Sequence, residues 1–161
     1  MTVGSWHKGF DRLIEAVDGL KDQGIIAEDV IAQVGPGRYQ ARQMQAMHYC
    51  SPDVFKRLVT EARVIIAHAG MGTIAEAISQ RKPIIVVPRK GSLGEHFDDH
   101  QFATARELEA EGKVLVAYET AELPARLQQA AAFIPAQSVT SDGIQKAIEE
   151  FIEGVIAKKC R

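Results

Sequence analysis

The chain has 161 residues, a length that suits one domain with its own hydrophobic core, and its 46% apolar and 25% charged residues are typical of a globular protein. Its 19 basic and 21 acidic side chains give a formal net charge of -2. A nucleic-acid-binding domain normally carries a basic excess that neutralises phosphates, so the composition argues against a nucleic-acid partner.

Short β-branched runs alternate with amphipathic helical segments along the chain, the pattern of βα units around a parallel sheet. Ser51 is a predicted helix N-cap and Pro52 the first helical residue, and Gly24 is a predicted helix end. In chain order, the predicted elements are a strand at 2–3, a helix over 9–22, strands over 30–34 and 45–49, a helix over 52–62, a strand over 64–67, a helix over 73–80, a strand over 84–87, a helix from about 99 to 111, a strand over 114–116, and helices over 121–132 and 142–157.

The strand predicted over 64–67 is wholly apolar, as expected of a central parallel strand that is buried on both faces. No internal repeat, linker or low-complexity tract interrupts the alternation of strands and helices. The sequence therefore predicts one α/β domain over 1–161, with a Rossmann-like parallel sheet and helices on both faces.

Ligands of open parallel sheets bind beyond the carboxyl ends of the strands. Three segments with glycine or polar residues follow predicted strands: 4–9, 68–76 and 89–101. The second is the most informative, because a buried strand ends at His68 and a turn over 69–72 opens a helix. Glycine amides at such a helix N-terminus favour a negatively charged ligand.

This turn has the physical features of a diphosphate-binding loop. Thr73 adds a hydroxyl in the first turn of the helix, and Glu76 lies one turn further, where a carboxylate can accept from both hydroxyls of a ribose. The alternative for the turn is a tight connection without a ligand. Glu76 is then a solvated helix residue and His68 a strand-end histidine with local partners.

Several separated motifs also resemble a known family. HAGMGTIAEAISQRKPIIVVP, followed by GEHFDDHQFATA, resembles the C-terminal, donor-binding domain of family 28 glycosyltransferases of the GT-B type. The start, VGSWHKGFDRLIEAVD, is similar to the opening of small standalone members. Those members are the PssE-type subunits of bacterial exopolysaccharide synthesis and the cytosolic subunit of the eukaryotic dolichol-linked UDP-N-acetylglucosamine transferase.

The resemblance implies a UDP-sugar site and the C-terminal half of a GT-B enzyme. Glu76 matches the family's ribose-binding glutamate, and His100 and Gln101 match a polar pair that contacts hydroxyls of the donor sugar. Ser5 stands where small members usually have threonine, which keeps the hydroxyl. The residues implied for the diphosphate are Gly4, Ser5, His68, Gly70, Met71, Gly72 and Thr73.

Charged residues after the strand at 84–87 leave alternatives open. Arg89 and Lys90 are either within reach of the diphosphate or solvated loop charges. Residues of types that bind divalent ions crowd the segment 95–100, but a polar loop that caps the next helix explains them equally, with Asp98 or Asp99 as N-cap. Because the transferases it resembles stabilise the leaving diphosphate with helix N-termini, we expect no metal and no cofactor beyond the UDP-sugar substrate.

The chain length leaves no room for an acceptor domain, so we expect a partner. No carboxylate or histidine is a convincing general base, and the resemblance implies that a membrane-anchored PssD-type subunit supplies it and recruits a lipid-linked acceptor. The helix predicted over 142–157 either docks that partner or covers its own core, since its apolar residues share one face.

Neither a signal peptide nor a membrane-spanning run is visible, and Cys50 and Cys160 are interpreted as free thiols, so we expect a cytoplasmic protein recruited to the inner face of the membrane. The predicted activity is inverting transfer from a UDP-sugar to a lipid-linked saccharide. The alternatives are a UDP-N-acetylglucosamine 2-epimerase, for which the chain is too short, and a non-catalytic UDP-sugar sensor or scaffold.

Overall fold

The computed structural model describes residues 1–136. In chain order, its helices and strands are α1 (Asp11–Asp22), β1 (Ile31–Gln33), β2 (Gln45–Met47), α2 (Pro52–Glu61), β3 (Ile65–His68), α3 (Met71–Ser79), β4 (Ile84–Val87), α4 (His100–Ala110), β5 (Leu115–Val116) and α5 (Leu123–Ala130), with short 3-10 turns over Gly91–Leu93 and Thr120–Glu122. None of the helices within 1–136 has the length and apolarity that crossing a membrane requires.

All strand pairs in the sheet are parallel, as the sequence predicts. β1 pairs with β2, and β4 lies between β3 and β5. Thr2 joins these two parts, since it forms parallel bridges to Gln33 of β1 and to Ala67 of β3. The first residues of the chain therefore occupy the middle of the sheet, and the turn that follows them lies beside the turn after β3.

Helices cover both faces of the sheet, which confirms the predicted architecture. Side chains of successive strand residues point to opposite faces. Ile66 and Ile85 accordingly pack in one core with α1 and α5, whereas Ile65 and Ile84 pack in a second core with α2, α3 and α4. The strands β3 and β4 are apolar throughout because each face meets a helix layer.

Local signals place several helix ends correctly. Ser51 accepts a hydrogen bond from the backbone N–H of Val54, and Pro52 opens α2. Gly24 follows α1 with a φ of 72°, a conformation that glycine adopts without strain. The predicted start of α3 at Thr73 is wrong, because the helix already begins at Met71. The helix predicted over 142–157 lies outside the described residues.

Candidate functional site

The three predicted segments meet at one edge of the sheet. Gly4 lies two residues after Thr2, which bridges β1 and β3. His68 ends β3, and Arg89 lies two residues after β4. Because all strands are parallel, their carboxyl ends lie together. The topology of the sheet therefore brings the three segments together, as a shared site requires.

The imidazole of His68 lies between two glycine turns. A Cβ at Gly70 would stand 2.1 Å from its Nε2, and a Cβ at Gly4 would stand 2.5 Å from its Cε1. Gly4 also has a φ of 77°, which disfavours any side chain. Both positions require glycine because the ring fills the space that a methyl group would take.

The His68 ring is held in its neutral form. Burial, followed by the positive charge of Arg89, lowers the pKa of His68 to about 4. Its Nδ1 is buried and has no hydrogen-bond partner within the described residues. His68 therefore offers an uncharged polar ring beside the turn at neutral pH.

The N-terminus of α3 presents backbone donors at this edge. Gly70 is the N-cap, and its own N–H bonds the carbonyl of His68 at 2.8 Å. Met71, Gly72 and Thr73 fill the first helical turn, where N–H groups have no acceptor within the helix. The partial positive charge of the helix N-terminus adds to these donors. The predicted turn over 69–72 is shorter than expected, since Met71 and Gly72 are helical.

Gly72 differs from the other glycines of the site. A Cβ built there meets nothing within 4 Å, and Met71 beside it is 56% exposed. Thr73, in contrast, is only 8% exposed. The open side of the first turn is therefore the backbone at Met71 and Gly72, where a ligand can approach without displacing protein atoms.

Glu76 lies one turn along α3 and is half-buried. Its Oε1 accepts a hydrogen bond from the side-chain amide nitrogen of Gln80, and the Oε1 of Gln80 accepts from the hydroxyl of Thr60 in α2 at 2.7 Å. These contacts fix one carboxylate oxygen and the side-chain direction. The predicted ribose contact requires the other oxygen and stays a prediction.

The structure separates His100 and Gln101, which the sequence groups as a pair. The His100 side chain is 57% exposed and its Nδ1 contacts Asp98. Gln101 is 5% exposed, and its Oε1 accepts from the backbone N–H of Arg89 at 3.1 Å. Consecutive helical residues point about 100° apart, so His100 is open at the surface whereas Gln101 is almost fully buried. Sugar recognition by the two residues stays a prediction.

The segment 95–100 accepts a hydrogen bond from the first N–H of α4, as capping requires, but not through the side chain of the N-cap residue. Asp99 occupies the N-cap of α4 but bonds the N–H of Gly91, whereas Asp98 accepts from the backbone N–H of His100 at 3.2 Å. His96, Asp98 and His100 also place one possible metal-ligand atom each within 4.8 Å of one another. Capping accounts for Asp98, and the absence of a metal from the reaction stays a prediction.

Aromatic rings lie between the turn at Gly4 and Ser5 and the segment 95–100. Trp6 stacks on His96 with a centroid distance of 5.1 Å, and Phe97 meets the edge of Trp6 at 5.5 Å. Phe97 is 71% exposed. Ser5 is exposed beside Trp6, as its predicted contact with a ligand requires.

Both sequence alternatives for Arg89 are wrong, since its side chain is fully buried and its guanidinium is bound to the backbone. It is 0% exposed, and its guanidinium donates to backbone carbonyls of Val3, Lys8, Gly9 and Glu95. A charged residue after a strand gives no sequence signal for such burial. Lys90, in contrast, forms a surface ion pair with Glu119.

Unpartnered buried donors also concentrate here. Among the described residues, four buried side-chain nitrogen atoms have no hydrogen-bond partner, and they belong to Trp6, Arg12, His68 and Arg89. Trp6 follows the turn at Gly4 and Ser5. The other three residues contact Gly4, Lys8 or Phe10, which lie in this turn or shortly after it. Buried nitrogen atoms without a partner are uncommon in folded proteins, and these four lie close to one turn of the chain.

Comparisons with known proteins identify curated relatives of this chain. The chain is 28% identical to the UDP-N-acetylglucosamine transferase subunit ALG13 of Mus musculus over 123 residues, 70% of this chain and 10% of that protein. It is 42% identical to the ALG13 subunit of Eremothecium gossypii over 53 residues, 33% of this chain and 24% of that protein. The chain thus spans a quarter or less of these curated relatives.

Solved structures share the fold. The glycosyltransferase SnogD from Streptomyces nogalater superimposes with a TM-score of 0.57 at 16% identity, over 81% of this chain and 33% of that chain. MurG of Acinetobacter baumannii superimposes with a TM-score of 0.56 at 20% identity, over 80% of this chain and 38% of that chain. These likenesses confirm the Rossmann-like GT-B architecture.

The family match covers nearly the whole chain. Residues 1–151 match the family described as the glycosyltransferase family 28 C-terminal domain. The match includes the turn after β3, the first turn of α3 and the segment before α4. On this evidence, the chain belongs to the C-terminal domains of glycosyltransferase family 28.

Proposed function

We propose that this chain is the donor-binding subunit of a two-component inverting glycosyltransferase that moves a sugar from a UDP-sugar to a lipid-linked saccharide in polysaccharide biosynthesis. The observation that carries the proposal is the α3 N-terminus with its open backbone at Gly72, beside the neutral ring of His68. Backbone donors and a helix dipole suit a diphosphate and stabilise the charge that develops on departing UDP.

In this proposal each part of the donor has its own residues. The diphosphate contacts the amides of Gly70, Met71 and Gly72, with Ser5, Thr73 and His68 beside them. Glu76 binds the ribose hydroxyls. His100 and Gln101 contact the sugar, where Gln101 contributes its amide nitrogen because its oxygen is engaged by Arg89.

Catalysis requires a general base, and within the described residues neither His68 nor Asp98 suits this role. His68 is enclosed by Gly4 and Gly70, and the carboxylate of Asp98 is engaged by two imidazoles. We therefore assign the base and the acceptor site to a membrane-anchored PssD-type subunit, which recruits this cytoplasmic chain to the inner face of the membrane. The ALG13 relatives are named as transferase subunits, which supports a division of labour of this kind.

The ribose assignment is tested by titrating UDP into wild type and Glu76→Ala in a calorimeter. Loss of a charged hydrogen-bond acceptor lowers the UDP affinity by about tenfold or more. Glu61→Ala, which removes an exposed carboxylate at the end of α2, is the matched control and leaves the affinity unchanged. Equal affinity of wild type and Glu76→Ala would remove the ribose contact.

The transferase assignment needs a second experiment, in which the chain and a candidate membrane subunit are mixed with a labelled UDP-sugar and a lipid-linked acceptor. Label transferred only when both proteins are present supports the proposal. A complex that binds UDP-sugar without transfer would favour the non-catalytic sensor or scaffold.

A further inference from the structure

Arg89 ties the start of the chain to the segment after β4. Its Nη1 donates to the carbonyls of Gly9 at 2.8 Å, Lys8 at 3.2 Å and Glu95 at 3.2 Å, and its Nη2 donates to Val3 at 2.9 Å. The guanidinium also lies 4.7 Å from the ring centroid of Phe10. One buried side chain therefore holds both ends of the segment 3–9, which contains the turn at Gly4 and Ser5.

Among residues 1–136, no carboxylate forms a salt bridge with Arg89. Glu95 is the neighbouring acid, but its two oxygens accept from Nε and Nη2 of Arg12, both at 2.9 Å. The Arg12 and Glu95 side chains are 19% and 10% exposed, and Arg89 is 0% exposed. Two guanidinium groups and one carboxylate leave a net charge of +1 in a largely buried cluster.

Burial does not neutralise this cluster. It lowers the pKa of Arg89 to about 10, an effect that the carboxylate of Glu95 opposes, so the side chain is charged at neutral pH. The charge also acts across the site, since it contributes to the lowered pKa of His68. A buried charge is screened less by solvent and salt than a surface charge.

We propose that Arg89 is a positioning residue of the diphosphate site, which fixes the turn at Gly4 and Ser5 and supplies a fixed positive charge beneath it without contacting the ligand. The inference rests on the proposed function, because it assumes that a UDP group occupies this edge. The charge of Arg89 then attracts the phosphates in addition to the backbone donors of α3, and this attraction grows with the number of phosphate charges.

The test compares UDP with UMP, which differ in phosphate charge and share the nucleoside. Arg89→Met removes the charge and Arg89→Lys retains it, and Arg63→Met is the matched control because Arg63 is 61% exposed and lies before β3. In calorimetric titrations, Arg89→Met lowers the ratio of UDP to UMP affinity by about fivefold to tenfold. Arg89→Lys retains most of the ratio, and Arg63→Met leaves it unchanged.

A purely structural role of Arg89 would weaken both ligands equally and leave the ratio unchanged, which would overturn the inference. An equal fall in the Arg63→Met ratio would overturn it too, because net charge would then explain the effect. Wild-type protein that binds neither UDP nor UMP would instead contradict the proposed function.

Should Arg89→Met not fold, nitrogen-15 spectra of the wild type provide the test. The guanidinium resonances of Arg89 shift when UDP saturates the protein, whereas those of Arg63 do not. Unshifted Arg89 resonances at saturating UDP would overturn the inference.

Discussion

The two glycine turns that enclose His68 are built in different ways. The turn at Gly70 uses neighbouring residues alone, since its N–H bonds the carbonyl of His68 and α3 begins at the next residue. The turn at Gly4 has one local bond, from its N–H to the hydroxyl of Thr2, and its flanks at Val3 and Gly9 are held by Arg89, which lies 86 and 80 positions away.

This difference separates a turn encoded locally from one that depends on the completed sheet. The Gly70 turn presents helix amides to a ligand, and its shape needs only β3 and α3. The Gly4 turn, in contrast, is held by Arg89, which follows β4. Substitutions in the first should act through local sterics, and those in the second through the buried charge.

The largest expected effect is that of Gly70→Ala. The added methyl group would stand 2.1 Å from Nε2 of His68, so the ring must leave the space between the turns. We expect a loss of about 2–3 kcal/mol in the free energy of unfolding, measured by denaturant titration.

The matched control for Gly70→Ala is Gly19→Ala within α1, where an added Cβ meets nothing within 4 Å. Alanine there is expected to raise stability by about 0.5–1 kcal/mol, because glycine is a weak helix former. Unchanged stability of Gly70→Ala would show that the ring is not confined as the structure has it.

The next effect concerns the pH dependence of stability. The unfolded chain takes up a proton on His68 near pH 6.5, whereas the folded protein does so only near pH 4. The unfolded state therefore binds more protons between these values, and the contribution of His68 to stability is lost as the pH falls through this window.

The free energy of unfolding is measured at pH 7 and at pH 4.5 for wild type and for His68→Asn. We expect its fall between these pH values to be about 2 kcal/mol smaller in the variant. His48→Asn serves as the control, since His48 is exposed at the end of β2. Parallel pH profiles for wild type and His68→Asn would contradict a buried neutral imidazole.

The smallest expected change in free energy belongs to Gly72→Ala, and it is the most specific for the ligand. Nothing lies within 4 Å of an added Cβ, and alanine favours a helix, so stability is retained or raised. If the diphosphate contacts this backbone, the methyl group lowers the UDP affinity by about tenfold, measured by calorimetry. Full UDP affinity in a stable Gly72→Ala protein would place the diphosphate elsewhere.

Most of the elements followed from periodicity and capping. The strand over Ile84–Val87 has the predicted bounds, and Ser51 caps α2 as expected. Gly70 and Gly72 together predict a continuous loop, whereas α3 begins at Met71, two residues before the predicted start. Glycine occurs both at N-caps and in turns, so the pattern did not distinguish these positions.

Some features of the candidate site can likewise be predicted from the sequence, and others cannot. The turn after β3 and the helix that follows were visible as a buried strand, glycines and a hydroxyl residue in order. Neighbours in sequence, however, do not share an environment on a helix. His100 is exposed, whereas Gln101 is only 5% exposed.

The sequence by itself determined the alternation of strands and helices, the apolar centre of the sheet and the glycine turn that opens α3, because each depends on residues within one turn or strand. Only the tertiary structure decided that the first residues lie in the middle of the sheet and that His68 fills the space between Gly4 and Gly70. It also decided that Arg89 is buried beside the turn at Gly4 and Ser5. The physical reason is that burial and charge environment depend on contacts between segments that are distant along the chain, which no local pattern records.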